Sequence, residues 1–361
     1  MEDKPAMKKE LLGQKEEEDG RGPVTYCVTG ATGYIGSWLV KSLLEKGYKV
    51  HAAVRDPEKA LIFLKKWNGG ERLRLFKADL HEEGSFDEAV RGCHGVFHVA
   101  ATMQFAVPVE ENVESYVQTN IVEPAIKGTL NVLNACLKSQ TVRRVVFTSS
   151  ISTITATDDL GNWRNIVDES CKIPIDRVWK NRSSGWVYML AKLHAEETAF
   201  QFAKENGIDL VSVITTTVGG PFLTPTVPTS IQVLLSPITG DPQLLPVIAS
   251  VNARIGSLAL VHIDDVSNAH IFLMEHTGAE ASYMCCARNC GMAELIDSLI
   301  EEYPCSNLKR LEKDKSNSVP AEISSKKLRD LGFKFKHDVR DIIHQTVKQC
   351  LACEFLRPAQ S

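Results

Sequence analysis

Val24-Thr25-Tyr26-Cys27-Val28-Thr29, an apolar run of strand length, leads directly into Gly30-Ala31-Thr32-Gly33-Tyr34-Ile35-Gly36. From Tyr34 to about Glu45 apolar residues recur at helical spacing, and Gly47 stands where a C-cap glycine would. The stretch therefore predicts strand, tight turn and helix. Glycines at such a turn let the backbone approach a pyrophosphate closely, and the helix N-terminus offers unpaired N–H groups and the positive end of its dipole. Gly30, Thr32, Gly33, Tyr34, Ile35 and Gly36 are accordingly candidate dinucleotide-binding residues. A G-x-x-G-x-x-G alone is only moderately specific, since a tight βα turn needs no ligand; its setting favours the phosphate cradle.

The alternation continues outward from this unit. Lys49 to Val54, Leu73 to Lys77, Gly95 to Ala100, Arg144 to Thr148 and Asp209 to Ile214 read as further strands, with helix-like segments between them. Strands alternating with helices imply parallel strands joined by right-handed crossovers, so the expected fold is α/β with a doubly wound parallel sheet. After Gly219-Gly220-Pro221 the pattern loosens, with prolines at 225, 228, 237, 242 and 246. That region, with helical segments near Met292 to Glu302 and Asp338 to Leu351, is expected to form a smaller substrate lobe. The expected organisation is a charged tail over 1–22, a nucleotide-binding domain with the catalytic residues over 23–220, a mainly substrate-binding lobe over 221–353 and a flexible tail over 354–361.

Composition excludes several classes. The 361 residues are 43% apolar and 24% charged, with a net charge of −4, which gives no basic footprint for nucleic acid or anionic lipid. Apolar runs such as Leu258 to Val261 are of strand length and the first twenty residues are charged, so neither a membrane span nor a signal peptide is read and a cytoplasmic location is expected. Ten cysteines are spread along the chain; neither Cys350-x-x-Cys353 nor the Cys285, Cys286, Cys290 cluster has a second ligand pair at zinc spacing. Thiols without a metal are expected, and Asn181-Arg182-Ser183 is a glycosylation sequon in form only. The expected partner is a small molecule, with the protein a monomer or a homodimer.

Arg55 ends the second strand, where a site for NAD usually carries an acidic residue for the ribose hydroxyls. An arginine can clamp a 2′-phosphate instead, so NADPH is the expected cofactor, with Lys59 assisting. A solvated pair of Arg55 with Asp56 is the plain alternative. Asp79 and Leu80 follow the third strand, where a loop meets the adenine, although Asp79 equally suits a turn or cap.

Tyr188 and Lys192 stand four apart in a stretch of helical character that runs to about Phe202. On a helix they share a face, so the ammonium is expected beside the phenol, lowering its pKa from about 10. A core tyrosine with a solvated lysine has the same spacing. Ser150, in Phe147-Thr148-Ser149-Ser150, ends the fifth strand on the side where ligands of open α/β sheets bind; serines there also simply form turns. Together the glycine turn, Arg55, Ser150, Tyr188 and Lys192 point to proton transfer beside a bound nicotinamide. A dinucleotide-sensing protein on the same fold is the non-catalytic alternative.

These residues, with His98-Val99-Ala100 and Thr148-Ser149-Ser150, resemble the extended short-chain dehydrogenase/reductases with their Rossmann sheet. Val54-Arg55-Asp56-Pro57, Gly95 to Ala100, Ser236-Pro237-Ile238-Thr239-Gly240 and Val261-His262-Ile263-Asp264-Asp265 narrow the resemblance to the plant dihydroflavonol 4-reductase and anthocyanidin reductase group. Pro228 through Gly240 and Tyr283-Met284-Cys285-Cys286 look nearest to anthocyanidin reductases. The resemblance implies that Ser150 polarises the substrate carbonyl, Tyr188 supplies a proton and Lys192 holds the nicotinamide ribose. It also implies that Val99, Ala100, Ala101, Thr215 and Val218 wall the nicotinamide, with Met103, Phe105 and Thr155 near the substrate. The chain departs from the group with Thr215 where a proline is usual, Ala101-Thr102 where Thr-Pro is usual, and Thr155 where dihydroflavonol reductases tend to carry an asparagine. The segment Ala106 to Gln118 is longer than usual. Nucleotide-sugar epimerases share the constellation but usually retain NAD, against which Arg55 argues.

Overall fold

The computed structural model describes residues 24–64, 70–108, 112–304 and 321–357. The charged tail at 1–22, the last residues at 358–361 and part of the Ala106 to Gln118 segment lie outside them. Seven parallel strands form the central sheet: β1 (Thr25–Thr29), β2 (Lys49–Val54), β3 (Leu73–Lys77), β4 (Gly95–His98), β5 (Arg144–Ser150), β6 (Leu210–Thr215) and β7 (Ala281–Cys285). Their spatial order is 3-2-1-4-5-6-7. Chain direction reverses its march between β1 and β4, and such a reversal opens a crevice at the carboxyl ends of the strands.

Both sheet faces are covered, which explains strands that read as nearly continuous apolar runs. On one face lie the helices Tyr34–Glu45 and Ile263–Glu275, packed through Leu39, Val40, Leu43, Val266 and Leu273, all fully buried. On the other lie Glu123–Ser139 and Trp186–Asn206, packed through Val132, Leu133, Ala195 and Ala199. Shortening Leu39 or Leu43 to alanine in such a core would cost about 2–5 kcal/mol. Buried Arg144, at the start of β5, ties the lower end of the sheet together. It donates to Asp209 at 2.7 and 2.9 Å and to the carbonyls of Leu273, His276 and Ala279.

Two features differ from the sequence expectation. Residues 263–285, expected in the smaller lobe, supply a covering helix and the seventh strand of the central sheet. β7 pairs in parallel with β6, Tyr283 opposite Val213 and Met284 opposite Ile214, a register that arises only once both strands meet across the fold. Second, residues 354–357, expected as part of a flexible tail, are docked: Leu356 is buried and the Tyr303 hydroxyl donates to the Arg357 carbonyl at 2.6 Å.

The smaller lobe has its own core. Helices Thr229–Thr239, Leu245–Ile255, Met292–Glu302 and Val339–Ala352 pack around Leu234, Leu258, Leu260, Leu299 and Ile343. The Val339–Ala352 helix begins with a capping box between Asp338 and Asp341. All nine described cysteines are unbonded thiols, eight of them buried. No described helix is long and apolar enough to cross a membrane.

Candidate active site

The turn after β1 has the shape its glycines require. Gly30 adopts φ +65°, and a Cβ there would stand 2.9 Å from the Ala100 Cα; on Gly36 it would stand 2.1 Å from the Gly30 carbonyl oxygen. Both contacts are with backbone, so neither position admits a side chain without moving the main chain. The Gly33 N–H donates to the Gly30 carbonyl at 2.9 Å, and Gly33 caps the Tyr34–Glu45 helix without a capping side chain. The first-turn N–H groups therefore face the cleft without a side-chain acceptor, as an anion-binding cradle needs. The residues present fit a dinucleotide pyrophosphate.

Thr29, which sequence reasoning passed over, builds the opposite wall. Its hydroxyl accepts from the N–H groups of Val99 and Ala100 at 3.1 and 3.0 Å, and lies 3.0 Å from His98 Nδ1. With both lone pairs engaged, the hydroxyl proton goes to Nδ1, so this buried imidazole is neutral. Burial, then the nearby Lys192 charge, push His98 down to about 3. A small hydroxyl closing a strand is common, and nothing in the local sequence distinguishes this one.

At the end of β2 Arg55 is exposed, and the expected alternative of an Arg55–Asp56 pair is absent among the described residues. Asp56 instead bonds Lys59, backbone N–H at 3.1 Å and Nζ at 3.2 Å, at the start of the Pro57–Leu64 helix. Asp79 forms a turn, accepting from the His81 N–H at 2.9 Å, and also lines the cleft. The turn and the binding reading of Asp79 are thus compatible.

The second half of the site is assembled around the helix Trp186–Asn206. Gly185, at φ +80°, starts it, so Tyr188 falls in its first turn and Lys192 one turn deeper. Burial raises the pKa of the Tyr188 phenol, and the neighbouring Ser150 hydroxyl partly opposes the rise. Ser150 Oγ accepts from the Ser152 N–H at 3.2 Å, which fixes the hydroxyl as cap of the short turn Ile151–Thr153. Lys192, pushed down to about 8 by burial against the opposing effect of Glu196, donates to the Thr148 carbonyl at 2.9 Å. The ammonium is therefore not what sets the phenol's pKa here, contrary to expectation; burial dominates. Glu196 is itself held by the Ser212 hydroxyl at 2.6 Å and by Lys172.

One cleft of about 1190 Å³ joins these parts. It is lined by every candidate named from the sequence except Thr155: Gly30, Thr32 to Gly36 of the glycine turn, Arg55, Lys59, Asp79, Leu80, Val99, Ala100 and Ala101, and Met103, Phe105, Ser150, Tyr188, Lys192, Thr215 and Val218. Thr155 is buried behind the wall, its hydroxyl 3.1 Å from that of Thr157. The Phe105 ring lies 5.1 Å from the Tyr188 ring, tilted by 33° to it. Thr215, in place of proline, donates to the Ser149 carbonyl at 3.0 Å and so stitches β6 to β5 beside the site.

A serine at the end of β5 beside a tyrosine and a buried lysine on the helix Trp186–Asn206, in one cleft with a glycine cradle, defines an oxidoreductase that works with a nicotinamide dinucleotide. A model of the NAD dependent epimerase/dehydratase family matches residues 26–286, and the chain belongs to that family. A putative anthocyanidin reductase of Ginkgo biloba is 43% identical over 327 residues, covering 90% of this chain and 93% of the relative. A dihydroflavonol 4-reductase of Arabidopsis thaliana is 40% identical over 350 residues, covering 96% and 85%. The crystal structure of vestitone reductase from alfalfa matches with a TM-score of 0.74 at 32% identity, covering 92% of this chain and 99% of that one. The resemblance read from the motifs is thereby borne out.

Proposed function

We propose that this chain is an NADPH-dependent reductase of a flavonoid-type phenolic, acting on a carbonyl or a ring C=C. The observation that carries the reading is the single cleft with Ser150, Tyr188 and Lys192 at one end and Arg55 at the other. The cofactor pyrophosphate would lie on the N–H groups of the glycine turn, and Arg55 with Lys59 would take its 2′-phosphate. Asp79 and Leu80 would border the adenine; Val99, Ala100, Ala101, Thr215 and Val218 would flank the nicotinamide. When bound, this cofactor supplies a hydride to the electrophilic carbon.

The chain's own groups do the rest. The Ser150 hydroxyl holds the substrate oxygen. Burial keeps the Tyr188 phenol protonated at neutral pH, the state a proton donor must be in, and its O–H proton passes to that oxygen. Lys192, charged below about pH 8 and anchored on the Thr148 carbonyl, would hold the nicotinamide ribose. Met103 and Phe105 would border a flat aromatic substrate, with Val227, Val233, Val247 and Val251 lining the same space.

The named activities of the relatives support a flavonoid as substrate, and free thiols at the nine described cysteines suit a cytoplasmic setting. The test is NADPH oxidation by purified protein with dihydroquercetin, cyanidin, cinnamoyl-CoA and a steroid enone, the products identified by mass spectrometry. Reduction of a flavonoid is the expected result; reduction of the steroid or the thioester alone overturns the substrate class.

A further inference from the structure

Glu196 stands one helical turn beyond Lys192 on the helix Trp186–Asn206, and the two residues are only 4% and 6% exposed. Residues four apart share a helix face, and side chains lean toward the helix N-terminus, so the carboxylate leans beneath the lysine. One carboxylate oxygen accepts from the Ser212 hydroxyl at 2.6 Å and the other from the Lys172 ammonium. A carboxyl group that accepts on both oxygens is in its ionised form.

The remaining surroundings of Lys192 carry no anion among the described residues. Its Nζ donates to the Thr148 carbonyl at 2.9 Å and lies 5.7 Å from the centre of the Phe147 ring. Of the titratable groups facing it, Tyr188 on the same helix is protonated at neutral pH and His98 on β4 is neutral. Glu196 is therefore the anion that balances this buried cation. Lys172 draws on the same carboxylate from a side chain that is 35% exposed. Its ammonium also donates to the Thr153 hydroxyl at 3.3 Å, and that hydroxyl donates to the Ser150 carbonyl at 2.9 Å. Two cations thus share one buried carboxylate, where charges are felt more strongly than in water.

We propose that Glu196 is a positioning residue of the reaction, whose carboxylate keeps the Lys192 ammonium charged within the cleft, and that Lys172 sets the strength of this effect by sharing the carboxylate. This rests on the reading of Lys192 as the group that holds the cofactor beside Tyr188, and the test separates the two. The titration of Lys192 is followed by ¹³C NMR of protein labelled at the lysine Cε, its resonance assigned by its loss in Lys192→Met. Single-turnover NADPH oxidation with dihydroquercetin or cyanidin is followed over the same pH range. Both are measured in wild type, Glu196→Gln and Lys172→Met, with thermal melts alongside.

Glu196→Gln is expected to lower the Lys192 midpoint by about one pH unit, a tenfold weaker hold on the proton. Lys172→Met, which leaves the carboxylate to Lys192 alone, is expected to raise it by about half a pH unit. The alkaline limb of NADPH oxidation moves with the midpoint in each case. Unmoved midpoints with lowered melts overturn the proposal by making Glu196 a brace between its helix and β6. A rise in both variants also overturns it, because a loosened, wetter cleft moves the lysine the same way whichever partner is removed. Should Glu196→Gln not fold, Lys172→Met decides alone, and a midpoint that does not rise overturns the proposal. Midpoints that shift in the expected opposite directions while the alkaline limb stays in place overturn the role in the reaction. The same shifts in protein that reduces neither compound uphold the charge assignment and overturn the reductase reading.

Discussion

Lys192 donates its ammonium proton to the carbonyl of Thr148 at 2.9 Å, 44 residues back in the chain, rather than to the phenol of Tyr188 one turn away. The bond pins the lysine to the end of β5 and holds a charge inside the protein, where burial disfavours it. The sign of the pH effect follows. A folded value of about 8 against an ordinary value of 10.5 means that the unfolded chain binds this proton more tightly. The destabilisation is full below pH 8 and fades as pH rises toward 10.5. Lys192→Met is expected to stabilise the fold by roughly 1–3 kcal/mol at pH 7, lost Thr148 bond included, and to cripple reduction. Thermal melts at pH 7 read this; a lower Tm contradicts it. In the wild type, kcat for reduction is expected to fall as pH rises through about 8.

Tyr188→Phe removes the proton donor and leaves the ring that packs against Phe105. Turnover is expected to drop about 10³-fold, with NADPH affinity within a few-fold of wild type. Single-turnover kinetics and cofactor titration check both; retained turnover removes Tyr188 from the chemistry.

Arg55→Ala should separate the two cofactors. Loss of a charge-assisted contact to a phosphate is worth about 1.5–3 kcal/mol, so KM for NADPH should rise about 10- to 100-fold while that for NADH barely moves. Equal losses for both argue against a 2′-phosphate contact.

Gly36→Ala forces a Cβ against the Gly30 carbonyl oxygen, at 2.1 Å in the native backbone. Because backbone, not a flexible side chain, must yield, the variant is expected to lose about 2 kcal/mol or more and most of its NADPH binding. Differential scanning fluorimetry with and without NADPH measures both; an unchanged melt means the turn relaxes freely.

Phe105→Ala removes the ring that packs beside Tyr188 in the cleft. An aromatic contact of this kind is worth about 0.5–1.5 kcal/mol beyond area, so KM for a flat aromatic substrate should rise about tenfold while the Kd for NADPH holds. A change in NADPH affinity instead would assign Phe105 to the cofactor wall.

The features legible in the sequence are those whose geometry is local. Gly30 to Gly36 lies within one turn and Tyr188 with Lys192 within one helical turn, so backbone geometry alone places them on a common face. Strand and helix alternation through β6 likewise follows from short-range apolar periodicity, and with it the doubly wound sheet. Tertiary packing decided the rest. β7 finds β6 across 65 intervening residues, Thr29 meets Val99 and Ala100 across 70 and 71 positions, and Thr155 turns toward Thr157, away from the cleft. Arg254 reaches the Ser150 turn from about 100 residues downstream. Residue type and spacing specify what a side chain can do, but which distant group it meets is set by how the two cores pack, and no local period encodes that.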